Sequence, residues 1–354
     1  MPSQFNNMLK YVLNLMIVQF NLIKILQFMN FNRIIYEVFS LDELKNHPPV
    51  LVDIGASEST HKLWEKFSKF SICIAYDADD RQIGYIEKDT DKFKKLYVYN
   101  CIVTNKDDSK TEFFLTESPF CSSTLEPDTE NLKVWAYAEK FKVLNKIELN
   151  AKNLTESLRE LNIEKVDWFK SDSQGTDLRL FNSLAKELSE KIIVAEFEPG
   201  FVNSYKGEDK LSELLKDFEN KPFWLSEITI KGPRRITQTQ LDKYFNSSIV
   251  KKLAQFSHKI SPGWAELIYI KKMDEGNFSK REILLGWIFS TVLNQHGYAL
   301  LLVDSLLNNV KEESLLKLLS IMKKYSLMRI KRNILLIKFL PSFFIKLKQL
   351  LGIH

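Results

Sequence analysis

The sequence predicts an α/β fold built on a doubly wound, mostly parallel β-sheet. Two observations indicate this fold. Between residues 47 and 275, short runs rich in apolar residues alternate with helical stretches, and such alternation is typical of βαβ units. The chain has 354 residues, of which 45% are apolar and 27% charged, so it is long enough to bury a large core. A helical segment is expected before this domain and a helical extension after it.

The elements follow in order along the chain. Apolar and aromatic runs predict strands at 50–52, 72–76, 97–99, 112–115, 166–169, 192–195 and 266–270. Apolar residues spaced for one helical face predict helices at 60–70, 154–161, 178–188 and 211–218. These elements give three parts: an N-terminal helical segment at 1–46, a central domain at 47–275 and a helical, basic extension at 276–354.

Two apolar stretches outside the central domain are expected to be helices that do not cross a membrane. Polar residues interrupt the stretch at 9–31, which favours an amphipathic helix, packed on the body or lying on a surface, over a signal peptide. Residues 283–303 carry no charge, but the polar run NQHG at 294–297 would be costly in hydrocarbon. Two buried helices joined at Gly297 are therefore expected.

The end of the chain is strongly basic. Residues 315–354 contain nine basic residues and no acid, which leaves −4 of the net +5 charge for residues 1–314. Apolar residues at helical spacing, broken at Pro341, accompany these charges. A basic amphipathic helix is typical of a membrane-surface or partner helix. The alternative is a helix whose apolar face packs on residues 283–303 while its charges are solvated.

Charge and cysteine content exclude several classes of protein. Basic residues concentrated in the tail do not indicate a nucleic-acid-binding face. Three cysteines with no C-x-x-C pair exclude cysteine-rich zinc modules and argue against a disulfide scaffold. The sequence therefore predicts a reducing, cytoplasmic location, with the basic tail as a candidate for peripheral contact at the inner face of a membrane.

Acidic residues end several of the predicted strands. Asp53, Asp77, Asp172 and Glu196 each follow an apolar run, and ligands of open α/β sheets bind beyond the carboxyl ends of the strands. Asp77 lies 24 residues after Asp53, where an acid can accept hydrogen bonds from both ribose hydroxyls of an adenosine. The pattern favours adenosine binding, with simple strand-end caps as the alternative.

The sequence of the loop after the first strand indicates which kind of adenosine ligand it fits. It reads GASES at 55–59, in which Gly55 permits a sharp turn but the pattern G-x-G-x-x-G is missing. Without the later glycines a pyrophosphate has less room, and Glu58 would repel it. S-adenosylmethionine, a cation without phosphates, fits this loop better than NAD, so a nicotinamide-dependent oxidoreductase is the less favoured alternative.

Three motifs resemble the FkbM family of S-adenosylmethionine-dependent methyltransferases. They are VDIGA at 52–56, the Tyr76-Asp77 strand end and DWFKSDSQGTDL at 167–178. The family's middle motif reads roughly D-x-x-K-x-D-x-Q-G-x-E, and Asp177 stands here for the glutamate. The likeness covers residues 49–233 and implies a Rossmann-like sheet of the class I methyltransferase type. The first motif departs from the family's G-A-N-x-G, because serines stand at positions 57 and 59.

The resemblance implies O-methylation of a hydroxyl, most often that of a sugar in a glycan or glycoconjugate. The residues implied to bind S-adenosylmethionine are Asp53, Gly55, Ala56, Asp77 and Ser123. A sugar hydroxyl is a poor nucleophile at neutral pH, so a general base helps. The catalytic candidates are Asp172 as the first choice of base, Glu196 and Glu198 after it, and Lys170.

Several alternatives remain open. Asp172, Glu196 and Glu198 would together hold a divalent cation, or the altered loop would no longer bind cofactor and the protein would be a non-catalytic member recruited through its tail. Lys170 would be an ion-pair partner of Asp172 or Glu196. Ser122 would be a solvated loop hydroxyl or a substrate ligand. His61 and His258 would be surface residues or, less favourably, a base. Trp135 and Tyr137 would line a sugar cleft or pack in the core.

Overall fold

The computed structural model describes residues 30–56, 61–79, 81 and 87–333. The chain divides into two compact units, Pro48–Lys272 and a second unit made of Met1–His47 with Met273–His354. The sequence placed 1–46 and 276–354 in separate segments, whereas their described parts belong to one unit.

Ten strands run through the described part of the larger unit. They are β1 (Val50–Ile54), β2 (Ile72–Asp77), β3 (Lys95–Asn100), β4 (Ile102–Thr104), β5 (Lys110–Thr116), β6 (Val143–Asn153), β7 (Trp168–Ser171), β8 (Val194–Phe197), β9 (Phe223–Lys231) and β10 (Trp264–Lys271). Seven form a mixed sheet in the order β3-β2-β1-β7-β8-β10-β9. Strand β10 is antiparallel to both of its neighbours, and the other pairs are parallel.

The structure is α/β, as predicted, with a mixed seven-stranded sheet that is compatible with a Rossmann-like fold. Every run predicted as a strand overlaps an observed strand, and those at 166–169 and 192–195 are displaced by two residues toward the carboxyl end. The runs could be recognised because the central strands are buried along their whole length, as in β1, where all five residues are buried.

The helices described in the larger unit are short. They are α3 (Thr129–Leu132), α4 (Leu154–Glu160), α5 (Asp177–Ser183), α6 (Lys186–Ser189), α7 (Leu211–Phe218), α8 (Gln238–Tyr244) and α9 (Ser248–Ser257), the labels α1 and α2 belonging to the smaller unit. Leucines and phenylalanines of α4 to α7 pack with strand residues such as Val52, Phe169 and Phe197 in one large core. Two helix predictions need correction. Residues 62–70 form two 3₁₀ turns rather than an α-helix, and residues 178–188 are divided between α5 and α6.

A second, three-stranded sheet interrupts the chain between β3 and β7. Its order is β4-β6-β5, with β4 parallel and β5 antiparallel to β6. Ile102, Phe113 and Ala151 form its small core. This inserted sheet is separate from the larger one.

The described part of the smaller unit is helical. It contains α1 (Phe31–Phe39), α2 (Asp42–Lys45), α10 (Lys280–Val292), α11 (His296–Leu307) and α12 (Glu313–Asn333). The ring of Phe31 stacks on that of Tyr325, with centroids 5.3 Å apart, and the indole N–H of Trp287 donates to Ser326. None of the described helices is long and apolar enough to cross a membrane.

Two predictions for this unit were correct only in part. Residues 283–303 do form two helices, but the break falls at 293–295, where Asn294 has φ +58°, and asparagine tolerates this left-handed conformation. Gly297 lies inside α11. The apolar side of α12, including Leu319 and Met322, is buried. The predicted N-terminal helix and the tail beyond residue 333 lie outside the described residues.

Candidate functional site

The turn after β1 depends on glycine. Gly55 has φ +76°, and a Cβ atom there would lie 2.1 Å from the carbonyl oxygen of Asp172. The N–H groups of Gly55 and Ala56 both donate to the carbonyl of Tyr76, at 2.9 and 3.1 Å. The backbone of the first motif is therefore held tightly between β2 and the segment after β7.

A first cleft opens beside this turn. It encloses about 670 Å³ of empty space, part of it open to solvent. One wall is formed by the carboxyl ends of β1 and β2, and the opposite wall by apolar residues of the small sheet. The lining residues are Ile54, Gly55, Tyr76, Asp77, Ala78, Asp79, Cys101, Ile102, Val103, Phe113, Pro119, Phe120, Ser122, Thr124, Asp172, Ser173, Gln174 and Thr176.

The charge of this cleft is negative. Three of its described lining residues are acids, namely Asp77, Asp79 and Asp172, and none of the other described lining residues is basic. Burial raises the pKa of Asp77 to about 6, and the charges of Asp79 and Asp172 act in the same direction, against the N–H of Asp79, which donates to Asp77. Arg81 holds the carboxylate of Asp79, with Nε 2.8 Å from Oδ1. A cationic ligand is favoured here over a phosphate.

A second cleft adjoins the first. It encloses about 930 Å³ of empty space, part of it open to solvent, and shares Phe120, Asp172 and Gln174 with the first cleft. Aromatic rings and acids supply much of its surface. Its other lining residues are Ser118, Cys121, Tyr137, Lys140, Phe141, Glu198, Gly175, Gly200, Ser204, Tyr205, Glu208 and Trp264.

Gln174 connects residues of both clefts. Its amide N–H donates to Asp172 Oδ1 at 2.6 Å, and its Oε1 lies 2.9 Å from the hydroxyl of Tyr205. Its backbone has φ +56°, an uncommon conformation for a residue other than glycine that tends to occur at functional sites. The backbone carbonyl of Gln174 accepts a hydrogen bond from Ser123 Oγ at 2.8 Å, so Ser123 supports this turn.

Asp172 also meets a second carboxyl group. The side chain of Glu198 is hydrogen-bonded to that of Asp172, and burial together with the charge of Asp172 raises the pKa of Glu198 to about 10. Glu198 therefore carries a proton at neutral pH. The pair thus places a protonated carboxyl group beside the carboxyl group of Asp172 at the junction of the clefts.

Asp177 organises the middle motif. Its Oδ1 accepts hydrogen bonds from Ser171 Oγ and from both the N–H and the hydroxyl of Ser173, at 2.7, 2.8 and 2.5 Å. Its Oδ2 accepts from the N–H of Glu198 at 2.9 Å. Asp177 therefore binds the end of β7 to the end of β8, and so fixes the backbones that carry Asp172 and Glu198.

Three other predicted site residues form a row across the sheet that lies outside both clefts. The register places Asp53, Lys170 and Glu196 side by side on β1, β7 and β8. Lys170 Nζ lies 2.6 Å from Asp53 Oδ1, so its partner is Asp53 rather than the expected Asp172 or Glu196. Burial lowers the pKa of Lys170, but the surrounding carboxylates, Asp53 first, outweigh burial and raise it.

Glu196 is engaged with aromatic and imidazole groups. It accepts a hydrogen bond from the indole of Trp168 at 2.5 Å and lies 3.1 Å from His61 Nε2. His61 is thus partly buried and paired, not a free surface residue, whereas His258 is exposed. Because Glu196 is held in this way, it does not converge with Asp172 and Glu198 on a cation. Within the described residues, no group of three His, Cys, Asp or Glu side chains is arranged to hold a metal ion.

The predicted site is therefore divided. Gly55, Asp77 and Asp172 line the first cleft. The cleft does not include Asp53, Ala56, Ser123, Lys170 or Glu196. Ser122 lines the first cleft and Tyr137 the second, whereas Trp135 is buried.

Sequence reasoning missed Asp79, Tyr205 and Glu208, and it included Gln174 only as part of the middle motif. The pattern D-x-D at 77–79 is a signal that could have indicated Asp79. Tyr205 and Glu208 come from an irregular loop between β8 and α7, and no motif indicated them. Compared with known proteins, the chain matches no protein-family model and no curated protein significantly.

Proposed function

We propose that the protein transfers a methyl group from S-adenosylmethionine to a hydroxyl, most favourably that of a sugar in a glycan or glycoconjugate. The observation that carries this proposal is the negative first cleft, which has no basic residue among its described lining residues and adjoins a second, aromatic cleft through Asp172. A cleft of this charge favours a cation that carries adenosine and disfavours the pyrophosphate of NAD or FAD.

The sheet is compatible with the proposal. Five strands run parallel from β3 to β8, and the reversed strand β10 lies between β8 and β9. This is the arrangement expected of a class I methyltransferase sheet. The resemblance of VDIGA and KSDSQG to the FkbM family points the same way, since both runs lie at the carboxyl edge of the sheet.

The residues of the first cleft fit an adenosine ligand. Asp77 would accept hydrogen bonds from the ribose hydroxyls, and Ile102, Val103 and Phe113 offer an apolar surface for the base. When bound, S-adenosylmethionine supplies an electrophilic methyl group. Asp172 provides the negative charge that favours the cofactor's cationic end.

The residues of the second cleft fit an acceptor hydroxyl. Tyr137, Tyr205 and Trp264 offer aromatic faces to the apolar faces of a sugar ring. Asp172, which lines both clefts, is placed to accept the proton of the hydroxyl. The amide N–H of Gln174 donates to Asp172 and so orients its carboxylate. The protonated side chain of Glu198 is hydrogen-bonded to the same carboxylate.

Calorimetric titration of the full chain tests the cofactor. S-adenosylmethionine and S-adenosylhomocysteine should bind with micromolar affinity, and NAD should not. Asp77→Ala should remove binding, while Glu164→Gln, which changes an exposed acid, should retain it. If neither sulfur ligand binds, the proposal is wrong, and the non-catalytic alternative gains support.

Turnover tests the base. A panel of glycans and glycosides is incubated with radiolabelled S-adenosylmethionine, and transfer is followed for wild type and Asp172→Asn. The variant should lose at least about a hundredfold in turnover, the scale of general-base catalysis, and still bind cofactor. Unchanged turnover would remove Asp172 from this role.

A further inference from the structure

Helix α9 displays an apolar face that the described protein leaves uncovered. Ile249, Leu253 and Phe256 are 69%, 62% and 70% exposed, and no residue of this helix is buried. At 100° per residue these three side chains, together with Val250, point to one side. Surface helices of globular proteins normally turn such a face inward, so this helix presents a surface suited to a partner.

Basic residues surround this face. Residues 233–260 contain six basic residues and one acid, although residues 1–314 as a whole carry −4. At 100° per residue, Lys252 borders the apolar face beside Phe256, whereas Lys251 lies on the opposite side and pairs with Asp242. The guanidinium of Arg234 lies 5.3 Å from the ring of Phe256. Arg235 and Lys259 are exposed. The arrangement of apolar face and flanking cations is that of helices that lie in a membrane interface.

We infer that α9 docks the protein on an anionic lipid bilayer, with Ile249, Leu253 and Phe256 entering the boundary between headgroups and acyl chains. The flanking lysines and arginines complement the negative charge of such a surface. A protein partner would need an acidic, apolar groove, whereas a bilayer offers apolar depth and diffuse negative charge together. The inference does not depend on the proposed methyl transfer.

The docking helix belongs to the edge of the sheet at which the clefts open. Strand β9 runs in the same direction as β8, because both are antiparallel to β10. The connection that contains α9 therefore leaves and re-enters the sheet at the carboxyl edge. The connection ends at β10, and the first residue of that strand, Trp264, lines the second cleft.

A fluorescent label on the apolar face provides the first test. All three native cysteines are buried, so Leu253→Cys and Gln255→Cys can each be labelled in the folded full chain with a nitrobenzoxadiazole dye. Vesicles of equal phosphatidylglycerol and phosphatidylcholine should shift the emission to the blue at position 253 and leave position 255 nearly unchanged. Pure phosphatidylcholine, or raised salt, should give a weaker shift, because salt screens the attraction.

Two outcomes overturn the inference. If emission at position 253 is already blue-shifted in buffer and vesicles do not change it, a second copy or another part of the chain covers this face. If emission indicates water both before and after anionic vesicles are added, the face does not enter a bilayer.

Vesicle sedimentation provides the second test, with charge matched between variants. Phe256→Glu should weaken partition onto the anionic vesicles at least about tenfold, whereas Gln255→Glu, on the polar side of α9, should stay within about twofold of wild type. The basic tail is present in both variants, so its contribution is equal. Equal binding of the two variants would overturn the inference, and circular dichroism melts confirm that both are folded.

Discussion

The carboxyl groups of Asp172 and Glu198 are hydrogen-bonded to each other, and Glu198 holds a proton at neutral pH. Burial and the charge of Asp172 raise the pKa of Glu198 above its unfolded value of 4.5, to about 10. A group whose folded pKa is raised contributes stability that is fully present below the unfolded pKa and is lost as the pH rises through the folded pKa. The pair should therefore make the fold sensitive to alkali.

Glu198→Gln removes this titration and keeps a donor for Asp172. Between pH 6 and pH 9 the wild type should lose at least about 2 kcal/mol of unfolding free energy relative to the variant, since each pH unit of unmatched protonation is worth up to about 1.4 kcal/mol. Urea unfolding at the two pH values measures the difference. Parallel pH profiles for the two proteins would show that Glu198 ionises normally.

Asp77 should lower the unfolding free energy of the free protein at neutral and alkaline pH, although it contributes to ligand binding. Its pKa is raised from 3.8 to about 6, so its favourable contribution exists below pH 3.8 and is lost as the pH passes 6. Asp77→Asn should raise unfolding free energy at pH 8 by up to about 3 kcal/mol, with little effect at pH 4, and should weaken S-adenosylmethionine binding at least about tenfold. Melting curves at both pH values, with titration calorimetry at pH 8, check this. A variant that is less stable at pH 8 contradicts it.

Alanine substitutions at two glycines of similar backbone conformation should distinguish the energetic cost of backbone strain from that of a steric overlap. Gly55 has φ +76° and Gly207 has φ +71°, but only Gly55 faces another atom, the carbonyl oxygen of Asp172. Gly207→Ala should cost about 1–2 kcal/mol, the penalty of the left-handed conformation alone. Gly55→Ala should cost at least about 3 kcal/mol or prevent soluble expression, because the overlap adds to the strain. Equal Tm shifts in the two variants would contradict the geometry of the turn.

The buried pair of Lys170 and Asp53 should respond differently to single and double changes. Lys170→Met leaves the Asp53 carboxylate buried without its cation, and such a loss typically costs about 3–5 kcal/mol. The double variant Lys170→Met with Asp53→Asn should recover at least about 2 kcal/mol of this. Urea midpoints of the four proteins in the cycle measure the coupling, and additive effects would mean that the two side chains do not interact.

Much of the larger sheet could be predicted because its strands are buried and apolar. Two strands of the insertion could not. Strand β4 has three residues, and β6 is mostly exposed, so neither produces a clear apolar pattern. The wrong helix at 60–70 has a similar origin, since Trp64, Phe67 and Phe70 recur every three residues, a spacing that fits a 3₁₀ turn as well as an α-helix.

Part of the candidate site could be predicted from strand ends alone. Asp77 and Asp172 stand at the last position of β2 and just beyond β7, and both line a cleft. Asp53 lies one residue before the end of β1 and Glu196 one residue before the end of β8, where neighbouring strands and aromatic rings cover them. The strand pattern locates the end of a strand only to within about two residues, and at this edge one residue separates a cleft from the interior.

The apolar wall of the first cleft comes from the inserted sheet, while most of its acids come from the ends of the larger one. Ile102 and Phe113 lie on β4 and β5 and belong to the small core of that sheet, whereas Val103, also on β4, packs in the main core. Substitutions at Ile102 and Phe113 can therefore reshape ligand preference without disturbing the Asp172 network or the main core. Descendants of one ancestral chain can in this way acquire different selectivities while keeping the same chemistry.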